Sequence, residues 1–291
     1  NNIRLSYQQA YRFPTNQDQW INLKSPGSTL IGGLPYFAEL YKFSTNPVYT
    51  SASILSYRAS IASGTPNPTL LKVAAFSTVK PESVQSFEIG YRGIIAKKLL
   101  IDAYFYTSKY KDFIAREAVA RGVSGDPLRA PIDLASPFTS ENFSFVSNSP
   151  TPVKANGWGI SAEYQVGIRG YKIMANLYSD VLKDVPAGLV TFFNTPKTRF
   201  NVGLANSNVY KGIGFNIIYK WQDKINWEGT FGAGPVPSFG TLDMQVSYKP
   251  GKSKNLIKLG ANNLFNNYYR NSFGNPYVGG LYYVSFGFNV F

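Results

Sequence analysis

Apolar side chains recur at every second position in the final stretch of the chain. Tyr282, Val284, Phe286, Phe288 and Val290 are separated by Tyr283, Ser285, Gly287 and Asn289. Side chains alternate across a strand, so the segment predicts one apolar face and one mostly small or polar face. Nine further segments carry the same period. The first is Ile3 to Arg12, with Ile3, Leu5, Tyr7 and Tyr11 opposite Arg4, Ser6, Gln8 and Arg12. The second, about Val84 to Arg92, sets Phe87, Ile89 and Tyr91 against Glu88, Gly90 and Arg92. The third, Leu99 to about Asp112, is ambiguous, because Tyr104 and Tyr106 make its second face aromatic as well. The fourth is the cleanest, with Trp158, Ile160, Ala162, Tyr164 and Val166 against Gly159, Ser161, Glu163 and Gln165. The others centre on Tyr171 to Tyr178, Arg199 to Leu204, Ile213 to Gln222, Leu242 to Lys249 and Ile257 to Asn262.

Short and long links alternate between these ten strands. The short ones lie near Gly93 to Ala96, Gly167 to Gly170, Ser207 to Lys211 and Pro250 to Asn255. The long ones are about Phe13 to Ser83, Phe113 to Ala155, Ser179 to Pro196, Asp223 to Gly240 and Asn267 to Gly279. Hairpins with tight turns at one end and long loops at the other form the layout of an outer-membrane barrel, turns in the periplasm and loops outside. On this count the last strand runs inward and Phe291 ends on the periplasmic side. A soluble sandwich does not need ten apolar outer faces, since one side of an antiparallel sheet can be wet. Nor does it need Tyr11, Tyr91, Trp158, Tyr219, Trp221 and Tyr248 near strand ends, where amphipathic rings suit the head-group levels. Ten strands alone close only a narrow barrel filled by side chains, and the 13–83 loop is long enough to imply function or disorder. The expectation is therefore a part of a larger barrel.

Composition agrees with spanning strands. The 291 residues hold 16% aromatic and 15% charged residues, with no cysteine and no histidine. Disulfides, thiolate chemistry and the commonest metal ligand and general base are thereby excluded. No apolar run reaches the 18 residues of a spanning helix. The opening Asn1-Asn2-Ile3 starts directly on a strand pattern, which predicts a processed or partial chain. The net charge of +13 would suit nucleic acid. The cations are scattered, however, with no run longer than Lys97-Lys98, and predict solvated loops, a polar interior and contact with anionic head groups rather than nucleic acid.

The chain resembles the C-terminal part of a TonB-dependent outer-membrane receptor of the kind abundant in Bacteroidetes. The matching stretches are Leu5 to Thr15, Lys80-Pro81-Glu82 through Glu88-Ile89-Gly90-Tyr91-Arg92-Gly93, Ala103 to Tyr106 with Tyr110 to Ile114, and Thr241 to Tyr248. Asn262-Asn263-Leu264-Phe265-Asn266-Asn267 and the aromatic C-terminus complete them. The resemblance implies an all-β, transmembrane antiparallel barrel of 22 strands, of which residues 1–291 supply the last ten. The plug domain and earlier strands lie outside this chain. It implies uptake of a large, scarce nutrient (siderophore, glycan, cobalamin or peptide), driven by the TonB complex through the plug. It implies no cofactor, and as partners the bilayer and lipopolysaccharide, the plug and remaining strands, and a surface lipoprotein or secretion component. One departure stands out: Phe291 is one residue out of phase with Val284, Phe286 and Phe288.

The polar face collects the candidate plug-facing residues Arg4, Arg12, Glu88, Arg92, Asp102, Glu163, Lys172, Arg199, Lys220, Asp243 and Lys249. Charge on a spanning strand is tolerated where it faces a wet or protein-filled interior. Hydration of a wide pore would account for it, as would docking of a plug. In the longest loop, Trp20, Tyr36, Phe37, Tyr41, Phe43 and Tyr49 could stack on a ligand or pack the loop on itself, the second being favoured. Gly157-Trp158-Gly159-Ile160-Ser161-Ala162 fits a dinucleotide pattern but lies inside a strand, where its glycines leave room for a close plug approach. Asp126, Asp133 and Glu141 lack calcium-loop spacing, and Asn142-Phe143-Ser144 matches a glycosylation acceptor of the kind chance produces. No nucleophile, base and orienting group are visible, so no enzyme is expected. The competing readings are a passive pore or structural barrel of a secretion complex, which would lack a plug, and a soluble carbohydrate-binding module, which would need no detergent.

Overall fold

The computed structural model describes residues 1–167, 170–230, 232–251 and 255–288. Ten strands form one antiparallel sheet in chain order. They are β1 (Asn2–Arg12), β2 (Glu82–Ile95), β3 (Leu99–Lys111), β4 (Val153–Val166) and β5 (Tyr171–Lys183), then β6 (Thr198–Tyr210), β7 (Ile213–Gln222), β8 (Phe239–Tyr248), β9 (Leu256–Asn262) and β10 (Leu281–Gly287). Each pairs with its sequence neighbours, and β1 and β10 stand at the two ends of the order. The phase of Phe291 falls outside the described residues. Among those residues, no helix is long and apolar enough to cross a membrane.

The register sorts side chains into rows. Ile95, Leu99, Tyr164, Ile173, Leu204, Ile217, Met244, Ala261 and Tyr282 stand opposite one another across nine strands, an apolar row on one face. Two rows further along the strands, Ile3, Tyr91, Ala103, Ile160, Leu177, Phe200 and Trp221 continue that face. Most of these side chains lack a covering layer: Ile3 is 75%, Tyr282 60% and Ile160 46% exposed, while Ala261 is buried. The opposite face carries Asn2, Arg92, Asp102, Ser161, Asn176, Asn201, Lys220 and Thr241 in one polar row. An exposed apolar face this extended marks a contact with a membrane or with other protein.

The ambiguous strand is β3. Its Tyr104 and Tyr106 lie on the polar face because glycines receive them. Gly159 pairs with Tyr104 on one side and Tyr178 on the other. A Cβ there would sit 2.6 Å from the Tyr104 ring and 2.7 Å from that of Tyr178. Gly157 likewise lies under the Tyr106 ring. The room that the glycines leave is thus filled by tyrosines of the sheet itself. Gly159→Val should therefore force both rings aside at a cost of roughly 1–3 kcal/mol. A lowered heat-unfolding temperature of the detergent-extracted protein checks this, and an unchanged one contradicts the packing.

Turn chemistry marks the short end. Lys211 and Gly212 both have positive φ, the two-residue hairpin geometry whose twist matches its strands. The long links fold instead. Ile114–Gly122 and Ser140–Asn148 pair, Leu189–Val190 and Tyr49–Thr50 add to the first, and Thr29–Ile31 lies parallel to the second and carries Asn22–Lys24. This second sheet buries Ile31, Phe37, Val48, Val119, Phe143 and Phe145. Helix Ser51–Ala62, capped by the Thr50 hydroxyl accepting from the Ser53 N–H, packs Ile54 beside Ala120, Ala130 and Leu134. Segments of the first three expected long loops thus form a compact module, while the fourth makes its own hairpin of Ile225–Trp227 and Gly234–Val236.

Candidate functional site

The polar face of the ten-stranded sheet is a wall of ion pairs. Alternation places Arg4, Glu88, Arg92 and Asp102 on neighbouring strands of that face. The Arg4 guanidinium reaches Asp102 at 3.0 Å and Glu88 at 3.5 Å, and Arg92 approaches Asp102 at 3.9 Å. Glu163 of β4 meets Lys172 of β5 at 2.9 Å. Lys220 of β7 meets Asp243 of β8 at 2.5 Å. Arg199 of β6 bonds Asp180 of β5 at 3.3 Å and lies over the Tyr178 ring, 5.5 Å from its centre. Tyr106 donates to the same Asp180 at 2.8 Å. Arg12 donates to Glu82 at 3.1 Å and to the Ile114 carbonyl at 3.0 Å, tying β1 to the base of the loop module.

Among the described residues, all the charged candidates read from the sequence but Lys249 are therefore paired within the wall. Two of their counter-ions, Asp180 and Glu82, were missed by the sequence reading. Both sit on the polar phase of their strands, just beyond the ends inferred from apolar alternation, and extending the period would have found them. Two of the pairs are asymmetric. Asp180 and Asp243 are 14% and 16% exposed, whereas their partners Arg199 and Lys220 are 47% and 54% exposed. In these two the carboxylate lies down against the sheet and the cation stands up from it, whereas Lys172 and Glu163 are nearly equally exposed at 38% and 34%. Pairs this open are worth roughly 0–1 kcal/mol each, so they can be exchanged for other charged partners at little cost.

Near the long-loop end this wall borders a concavity of ≈ 690 Å³, lined by Tyr178, Arg199, Asn201, Lys220, Asp243 and Asn271. The last long link folds over its edge, Tyr269 stacking on Phe239 with ring centres 4.1 Å apart. The Asn263-to-Asn267 run makes that fold possible. Asn263 and Asn266 adopt positive φ, which asparagine tolerates better than most residues. The Asn263 amide bridges Asn267 through both its oxygen and its nitrogen, while its backbone N–H donates to Asp243 at 2.8 Å.

The loop aromatics divide. Phe37 and Phe43 lie in the module's core, and Tyr41 packs against it, its ring 5.3 Å from that of Phe143. Tyr49 packs beside Ile54 and Ala120. Phe37 is buried and Tyr41 half-buried, and both rings pack the loop on itself, the alternative the sequence favoured. Trp20 and Tyr36 remain exposed. Asp126, Asp133 and Glu141 serve separate local contacts. Asp126 accepts from the Leu128 N–H, Asp133 accepts from the Ser124 N–H and hydroxyl, and Glu141 pairs with Arg121 at 2.7 Å. In the same module, burial pushes the Glu117 carboxyl above its usual range and lowers the Arg116 guanidinium.

Residues 1–264 match the family model described as TonB dependent receptor-like, beta-barrel. Among solved structures, the copper transporter OprC is 16% identical with a TM-score of 0.54, over 98% of this chain and 35% of that one. The siderophore receptor PirA from Acinetobacter baumannii is 16% identical with a TM-score of 0.50, over 72% of this chain and 32% of that one. The chain thus spans about a third of the length of either structure. No curated protein matches it in sequence.

Proposed function

The chain belongs to the TonB dependent receptor-like β-barrel family, and on that premise we propose that it forms the last ten strands of an energised outer-membrane uptake receptor. The carrying observation is the two-faced sheet: bare apolar rows on one side, an ion-paired wall on the other. Lipid on the first face and a protein-filled cavity on the second suit both. The open edges at β1 and β10 support completion by further strands, since a sheet edge left unpaired in hydrocarbon is costly. A complete barrel of 22 strands, as Bacteroidetes-type receptors have, accommodates a plug. In this reading the short turns and the inward end of β10 lie in the periplasm and the loop module outside. The cargo is a nutrient too large and scarce for passive diffusion, of the siderophore, glycan, cobalamin or peptide class. The likeness to a copper transporter and a siderophore receptor, at 16% identity, carries the fold and leaves that choice open.

The asymmetry of the Asp180–Arg199 and Asp243–Lys220 pairs adds a direction. Cations standing above recessed carboxylates present a positive surface to the interior, so the docked plug face is acidic and breaks away by exchanging ion pairs under force. In the complete receptor, Arg199→Glu should raise entry of large antibiotics and lower TonB-dependent uptake severalfold. Adding Asp180→Arg restores an ion pair within the wall but turns its presented charge negative, and should leave the defect in place. Unchanged leakage and uptake in the single variant, or full rescue by the double one, would contradict plug docking at this site.

A further inference from the structure

Arg116 belongs to the Ile114–Gly122 strand of the loop module, and 6% of it is exposed. Moving an isolated charge out of water is costly unless a counter-ion or a full set of hydrogen bonds receives it. Neither does so here. Its Nη1 donates to the Ser144 carbonyl at 3.0 Å, which answers one of the five N–H donors of a guanidinium. Among the described residues, no carboxylate lies within ion-pair reach of it. Asp18, which acts on it from a distance, is engaged by the Thr15 N–H and hydroxyl at 2.9 and 2.8 Å.

Arg116 lines a cavity of about 260 Å³. Alternation puts Arg116 and Ala118 on one face of the module's sheet, and the register sets Ser144, Leu30 and Val190 beside them. Ser51, the first residue of helix Ser51–Ala62, borders the same space, so the positive end of that helix's dipole adds to the arginine's charge. Arg116 is the one charged group among the described lining residues. Another wall comes from Phe192, Gly229 and Thr230. Glu228 fixes it, accepting from the Thr191 N–H at 2.7 Å, the Thr191 hydroxyl at 3.0 Å and the Phe192 N–H at 2.8 Å. Phe192 is thereby held at a φ of 57°, a left-handed conformation that bulky residues rarely adopt. The walls are tied down while the guanidinium between them stays largely unanswered.

One cation in a cavity of roughly nine water volumes selects a small monoanion. A phosphate monoester carries about −1.5 to −2 near neutral pH and would stay under-neutralised there. A carboxylate carries a single charge and matches the guanidinium fork with two parallel hydrogen bonds. Leu30, Val190 and Phe192 offer apolar surface beside it. We propose that the cavity binds a small monocarboxylate with an apolar tail, its oxygens on the Nε and Nη2 side of Arg116 that Ser144 leaves free. This goes beyond nutrient uptake: the space is too small for the cargo classes named above, and it is built by the loops alone, without bilayer or plug.

The test uses the complete receptor in detergent, with phenylacetate and acetyl-alanyl-phenylalanine as probes and calorimetry to follow binding. Wild type should bind a carboxylate probe, and bind phenylacetamide and inorganic phosphate roughly tenfold or more weakly. Arg116→Met should weaken binding at least tenfold. Ala118→Leu, which fills the cavity and keeps the charge, should do the same. Arg129→Gln, which removes an exposed cation of the same module, should bind as wild type does. Because Arg116→Met deletes an uncompensated buried charge, its loops should resist protease without ligand at least as well as those of wild type. Several results overturn the site: no binding of either carboxylate to wild type, equal binding of the amide or of phosphate, or full binding by either cavity variant. Loss of protease resistance in unliganded Arg116→Met would mark a structural arginine and overturn it as well. The carboxylate that binds tighter to wild type, and is lost in both cavity variants, tells a free acid from the end of a longer molecule. A receptor that imports its cargo but ignores both probes refutes this site alone. One that binds a probe without any TonB-dependent uptake refutes the uptake reading and leaves the site standing.

Discussion

Arginine in place of Ile160 is expected to abolish or severely reduce assembly of the barrel. Ile160 is 46% exposed on the apolar face and sits mid-row between Ala103 and Leu177. On a lipid-facing strand near the bilayer midplane a guanidinium costs about 2–4 kcal/mol, because only hydrocarbon is there to solvate it. Native proteins hold a net margin of about 5–15 kcal/mol, so the loss is a large fraction of the total. Semi-native electrophoresis of outer-membrane fractions reads the result as disappearance of the fast-migrating folded band. Ser161→Arg, one residue along and on the charged face beside Asp102 and Asn176, should leave that band intact. Equal tolerance of both substitutions would mean that the two faces share one environment.

Phe143→Ala carries the second large effect, and it separates the loop module from the barrel. Phe143 is 1% exposed. Its ring meets Phe43 edge-on at 5.4 Å, and the Arg121 guanidinium lies 4.9 Å from its centre. Emptying such a site costs roughly 3–5 kcal/mol. The module is small, and its two clusters depend on Ile114–Gly122 and Ser140–Asn148 staying paired. Limited proteolysis of whole cells should cut the variant rapidly within residues 13–81 and 112–152 while the ten strands still migrate as a folded species. Wild-type resistance of those loops would show that the module does not rest on this core.

The contrast between these two regions explains what the sequence made legible. The ten strands announced themselves because one face meets an apolar environment and the other a polar one, so the period of two survives in the residues. Where both faces are enclosed, the period vanishes. Ile114, Ala115 and Arg116 are buried in succession, as are Val119 and Ala120, and that strand read as loop. Ser140–Asn148 was lost in the same way, with Phe143, Phe145 and Val146 all enclosed. Tyr104 and Tyr106 blurred β3 because their polar-face setting depends on Gly157 and Gly159, distant in sequence. The charged candidates were legible as a face but not as pairs, since pairing depends on register. Phe37 and Tyr41 were indistinguishable by type from Trp20 and Tyr36; only tertiary packing tells the core rings from the exposed ones.

Site-directed spin labelling along β4 of the complete, bilayer-reconstituted receptor tests the two-faced wall most directly. This chain supplies no cysteine, so in a receptor whose other segments are also freed of cysteine by serine replacement, single cysteines at 158 to 165 give unambiguous label positions. Nitroxides at 158, 160, 162 and 164 should collide with dissolved oxygen and be shielded from a water-soluble nickel chelate, while those at 159, 161, 163 and 165 show no such preference for oxygen. A profile with no period of two, or even-numbered labels that meet the nickel chelate as freely as the odd ones, contradicts a wall with lipid on one side and a cavity on the other.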